Sequence, residues 1–89
     1  MVTRLNNLAL LYAQQGKYAE AEPLFKRALA IDEKALGPEH PDVAAIAERL
    51  ALVLRKLGRK SEAKVYEKQA ARIRAKANQE PKADNLKRN

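Results

Sequence analysis

The densest functional-group chemistry in the sequence is cationic: Arg55, Lys56, Arg59 and Lys60 fall within six consecutive positions. Such a cluster can hold a carboxylate, whether an acidic peptide side chain or a chain terminus. At a helix end the same residues also complement the negative pole of the helix dipole, a purely structural role. Asn6 and Asn7 supply the next chemistry, since each amide offers donors and an acceptor, although both can equally be polar surface positions of a helix. His40 is the single histidine and there are no cysteines. One imidazole does not build a zinc site, and disulfides and thiolate metal sites are excluded, so neither metal nor cofactor is expected and His40 reads as a linker residue. No nucleophile–base pair or glycine-rich phosphate loop is present. Glu20, Glu22, Glu62 and Glu67 read as solvent-facing helix residues. The chain is not expected to be an enzyme.

Charge narrows the partners further. The net charge of +7 is uneven, with −1 in residues 1–42 and +8 in residues 43–89. An acidic protein or peptide partner for the second half follows as an expectation. Nucleic-acid binding is the weaker rival, because single-strand binders interleave aromatics with cations and no recognition-helix motif is evident. Tyr12, Tyr18 and Phe25 stand at helical spacing and read as core. Residues 61–77 lack the bulky apolar anchors of a membrane-surface helix. No apolar run approaches the ~20 residues of a membrane span. The N-terminus lacks the basic-then-apolar pattern of a secretory signal, so a cytoplasmic location is expected.

The elements that would carry these side chains follow from internal repetition. An offset of 42 superposes Gly16 on Gly58, Leu8 on Leu50, Ala9 on Ala51, Leu10 on Leu52, Glu20 on Glu62, Ala21 on Ala63, Ala28 on Ala70 and Ile31 on Ile73. In the first copy Leu5, Leu8, Ala9 and Tyr12 recur at three- and four-residue steps, and Ala21, Leu24, Phe25, Ala28 and Ile31 follow after Gly16. Each copy therefore reads as helix, tight turn, helix, with the glycine in the left-handed conformation that ends a helix. Gly37-Pro38-Glu39-His40-Pro41-Asp42 separates the copies. Pro41 suits the first turn of the third helix and Asp42 its positive end. The second copy runs from Val43 to Leu57, then from Ser61 to about Ala77. Pro23 falls inside the second helix at the cost of one backbone hydrogen bond, early enough to be tolerated. Residues 78–89 read as a basic, disordered tail.

This pattern resembles the tetratricopeptide repeat. Leu5, Leu8, Ala9, Tyr12, Gly16, Tyr18, Ala21, Phe25 and Ala28 match its signature positions. The 42-residue spacing and the Gly37-Pro38-x-His40-Pro41 linker resemble the kinesin-light-chain-like subclass, as does Leu5-Asn6-Asn7-Leu8-Ala9. The second copy matches at Leu50, Ala51, Gly58, Ala63 and Ala70, but carries Lys60 and Glu67 where the first has Tyr18 and Phe25. The resemblance implies an all-α fold, two tandem helix-turn-helix pairs forming a right-handed α-solenoid fragment. It occupies residues 1–77, with repeat one at about 2–36 and repeat two at about 42–77.

The resemblance further implies a non-catalytic scaffold whose first helices line a concave groove for a peptide or protein partner. Thr3, Asn6, Asn7, Leu10, Ala13 and Gln14 would face it from repeat one; Ala45, Glu48, Arg49, Leu52, Arg55 and Lys56 would do so from repeat two. Polar Glu67, with Arg72, Arg74 and Lys76 behind it, suits a terminal repeat whose outer face meets water. Leu8 and Leu11 mark an uncovered apolar face at the other end, from which either membership of a longer array or a homodimer is expected. A self-assembling structural fragment is thus the alternative to a partner-binding scaffold.

Overall fold

The computed structural model describes the backbone of residues 2–87 and the side chains of residues 4–77. Four helices follow one another, α1 (Val2–Gln14), α2 (Tyr18–Leu36), α3 (Pro41–Lys56) and α4 (Lys60–Lys87), with no strand among the described residues. Each helix packs mainly on its neighbour in the chain: α1 on α2, α2 on α3, α3 on α4. The architecture is all-α, two helix pairs in tandem. α4 runs past the expected end near Ala77, because Ala75-Lys76-Ala77 continue in good helix formers and no glycine stops them. The side chains of residues 78–89, on which the tail expectation falls, lie outside the described residues.

Both tight turns are built from the same bonds at the 42-residue offset. Gly16 N–H donates to the Ala13 carbonyl at 3.0 Å and Lys17 N–H to the Tyr12 carbonyl at 2.8 Å; Gly58 to Arg55 and Arg59 to Leu54 repeat both distances. Both glycines stand at φ +81°. The bond reaching back five residues closes off the helix end, and the positive φ is open to glycine without a Cβ penalty.

The linker between pairs uses a different device. Pro41 opens α3, and the His40 side chain caps it: Nδ1 accepts a hydrogen bond from Asp42 N–H at 3.0 Å. The imidazole thereby satisfies one of the unpaired donors of the first turn, with Nδ1 unprotonated. This capping role is more specific than the linker role read from sequence. α2 continues through exposed Pro23, leaving the Ala19 carbonyl without its helical donor.

Small residues set the helix spacing. Ala9, Ala21, Ala28, Ala44, Ala47, Ala51, Ala63 and Ala70 are all buried, and Phe25, Leu50, Leu54 and Ile73 fill the volume between them. A larger side chain at the alanine positions would overpack these contacts. Asp32 is the one buried charged residue among those described. Burial pushes its carboxyl pKa up, the charge of Asp42 adds to this, and His40 opposes it.

Two polar links tie the second pair to α2 among the described residues. Arg59, in the α3–α4 turn, donates to Glu22 at 2.5 Å and to Glu62 at 2.5 and 2.9 Å. Lys26 reaches the same Glu22 at 2.9 Å, and Gln69 donates to Glu33 at 2.7 Å. Burial raises the Glu22 pKa, but the hydrogen bonds and charges of Lys26 and Arg59 outweigh it and hold the carboxyl below its ordinary value.

Candidate functional site

The periodicity that builds α1 and α3 also decides which side chains can meet between them. At 100° per residue Leu10 and Gln14 share one face of α1, while Ala45, Arg49, Leu52 and Lys56 share the corresponding face of α3. A hollow of about 200 Å³ opens between these faces, lined by Leu10, Ala13, Gln14, Tyr18, Phe25, Arg49, Leu52, Val53 and Lys56. Its floor is apolar: Phe25 and Val53 are buried, and Leu52 on its rim is 57% exposed. Arg49 and Lys56 stand at the edge without an ion-pair partner among the described residues. An apolar surface beside two free cations can bury a hydrophobic side chain while neutralising a nearby carboxylate.

Six of the groove residues singled out from the sequence therefore come together here: Leu10, Ala13, Gln14, Arg49, Leu52 and Lys56. Two others turn away. Arg55 forms a two-pronged bond to Glu67 on α4, Nε to Oε2 at 2.5 Å and Nη2 to Oε1 at 2.8 Å. Hydrogen bonding by Arg55, reinforced by its charge, lowers the Glu67 pKa, and the reciprocal bond raises that of Arg55. Glu48 is held in the same manner by Arg74, with both bonds at 2.8 Å. Positions 48 and 55 lie about 70–90° around α3 from the centre of the groove-facing stripe, on the side where they meet Arg74 and Glu67 of α4.

The remaining candidates are not among the residues that line the hollow. Ala45 is half-buried, Asn7 exposed, and Thr3 lies outside the described side chains. Asn6 is half-buried, and its side-chain oxygen is enclosed without a hydrogen-bond partner. A buried acceptor left unpaired costs free energy that an incoming N–H would recover. The groove reading passed over Tyr18, Phe25 and Val53. The first two are legible as core aromatics, but their place under the groove floor depends on how far α1 and α3 stand apart.

Among the described residues no group of three or more histidine, cysteine, aspartate or glutamate side chains is placed to hold a metal ion. No described helix is long and apolar enough to cross a membrane. The arrangement offers surfaces for binding, built on two copies of one helical unit. A tetratricopeptide repeat family model matches residues 2–76, from the first turn of α1 into α4, and so takes in both copies. The chain belongs to the tetratricopeptide repeat family.

Proposed function

We propose that this chain is a non-catalytic interaction module, with the α1–α3 hollow as its docking site. The favoured ligand is a protein segment with an apolar side chain next to a carboxylate. Members of this family generally mediate protein–protein interaction, and the observation carrying the finer reading is the apolar floor beside unpaired Arg49 and Lys56. The helices hold these side chains at fixed spacing before binding, so the ordering cost falls on the partner segment. Selection from a random peptide library displayed on phage tests the reading. The parent chain should enrich peptides with acidic residues beside an aromatic or aliphatic one, with affinity falling as salt is added. Arg49→Glu with Lys56→Glu should remove the acidic preference, and Leu52→Asp should remove the apolar one. Equal enrichment of basic peptides by the parent would overturn it. Tight, salt-sensitive binding to random-sequence DNA would favour the nucleic-acid alternative instead.

The 42-residue offset and the Gly37-Pro38-x-His40-Pro41 linker, with His40 capping α3, support placement in the kinesin-light-chain-like subclass. A cytoplasmic location accords with a cysteine-free, basic helical module. Self-association is the second reading, and the exposure of Leu8 and Leu11 at 41% and 49% is what favours it. Molar mass by light scattering over a concentration series tests the homodimer.

A further inference from the structure

The face of α1 that carries Leu8 and Leu11 is distinct from the α1–α3 hollow, and its chemistry can be read from its counterpart in the second repeat. At the 42-residue offset Leu8 and Leu11 correspond to Leu50 and Val53, which are 0% and 1% exposed. The two helices differ in their neighbours: α3 is flanked by α2 and α4, whereas α1 packs mainly on α2 alone. Among the described residues no helix does for α1 what α2 does for α3. The residues by which α2 covers α3 follow from the same logic. Phe25 and Leu29 are buried, while their counterparts Glu67 and Ala71 on α4, against which only α3 packs substantially among the described residues, are not. Two carboxylates flank them: Glu22 meets Arg59 at 2.5 Å and Glu33 meets Gln69 at 2.7 Å. In the first repeat the positions of Arg59 and Gln69 are held by Lys17 and Arg27, both exposed and without ion-pair partners among the described residues.

We infer that the open face of α1 binds an amphipathic helix of a partner protein. That helix carries the spacing of α2: a carboxylate, an aromatic three residues on, a leucine four further and a second carboxylate four beyond. The apolar pair sits on Leu8 and Leu11, and the carboxylates meet Lys17 and Arg27. A second copy of this chain fits less well in either arrangement. Face to face, it brings Lys17 and Arg27 against a surface that lacks carboxylates in the places of Glu22 and Glu33. Head to tail, its α4 offers Lys64, Glu67 and Ala71 where Glu22, Phe25 and Leu29 are required.

The test is fluorescence anisotropy of the full chain with a labelled peptide of residues 18–36, held helical by a lactam bridge on its exposed side. The peptide should bind, and Leu11→Asp in the protein should weaken it by about tenfold or more with the helical content unchanged. Lys17→Glu should weaken the parent peptide several-fold, roughly the effect of one rim charge pair, and a Glu22→Lys peptide should restore affinity to that variant alone. Binding indifferent to Leu11→Asp would mean that the peptide displaces α2 from α3, and would overturn the inference. So would absence of binding, or a parent dimer that Leu11→Asp abolishes, which would make a second copy the occupant.

Discussion

The two helix pairs share their turns almost atom for atom and differ in which faces they cover. Gly16 and Gly58 close their turns with the same two bonds at the same lengths, yet Leu8 is 41% exposed where Leu50 is sealed, and Phe25 is sealed where Glu67 is not. The difference teaches that local chain chemistry shapes each pair, while position in the row decides what its outer surfaces must be made of. At the α4 end the sequence has answered with ion pairs, Arg55–Glu67 and Arg74–Glu48. At the α1 end it has left leucines.

The sharpest way to break this asymmetry is at Phe25 and Glu67. Phe25→Ala should lose about 3–5 kcal/mol, the usual range for emptying a filled core site. Glu67→Ala removes only one side of an exposed pair and should leave the denaturation midpoint nearly unmoved. Urea titration followed by circular dichroism measures both. Comparable losses would show that α4 is covered in solution.

Leu50→Ala against Leu8→Ala tests the opposite end. The buried leucine should cost about 2–5 kcal/mol, and the exposed one within about 0.5 kcal/mol, as for most surface substitutions. A large loss at Leu8 would reveal that something already covers α1, and a dependence of that loss on protein concentration would identify a second copy.

Smaller effects, opposite in sign, come from the two carboxylates on α2. The Glu22 pKa is held below 4.5 in the fold, so its contribution is present at neutral pH and is lost as pH falls through the folded value. Glu22→Gln should therefore destabilise at pH 7, by less than either core truncation, and the gap to the parent should close in acid. The Asp32 pKa is raised above 3.8 by burial, so its ionised form opposes folding at neutral pH. Asp32→Asn should stabilise at pH 7, with the gain vanishing below pH 3.8. Denaturation midpoints across that range read both signs. Smallest of all, Arg74→Ala should shift stability only slightly, because both partners of its pair are half exposed and water screens such pairs.

Much of this asymmetry is legible in the sequence. The 42-residue offset places both glycine turns, and the loss of Phe25's counterpart at Glu67 marks α4 as an outer helix. Spacing alone did not tell which flank of α3 a cation occupies. Arg55 and Lys56 are adjacent in sequence and equally basic, yet Lys56 lines the hollow while Arg55 bonds to Glu67, because one residue of advance turns a side chain by 100°. The hollow's floor was hidden for a different reason. Tyr18, Phe25 and Val53 belong to the core by composition, and only the gap between α1 and α3 places them beneath a hollow. The His40 cap was equally out of view, since its bond to Asp42 N–H depends on the extended backbone of His40 itself, just after the turn at Pro38 and Glu39.

The order of packing, α1 on α2, α2 on α3, α3 on α4, bears on how the molecule assembles in time. The main helix contacts join segments adjacent in the chain, so no distant ends must meet before attractive contacts form. Loop-closure entropy is then lost in small instalments, and a chain of this kind belongs among the rapid folders, in microseconds to milliseconds. Each glycine turn can bring its helix pair together independently, and the Glu22–Arg59 contact forms only once both pairs exist. Stopped-flow refolding should accordingly be slowed more by truncating Ala21 or Ala63 within a pair than by removing the charge of Arg59 between them.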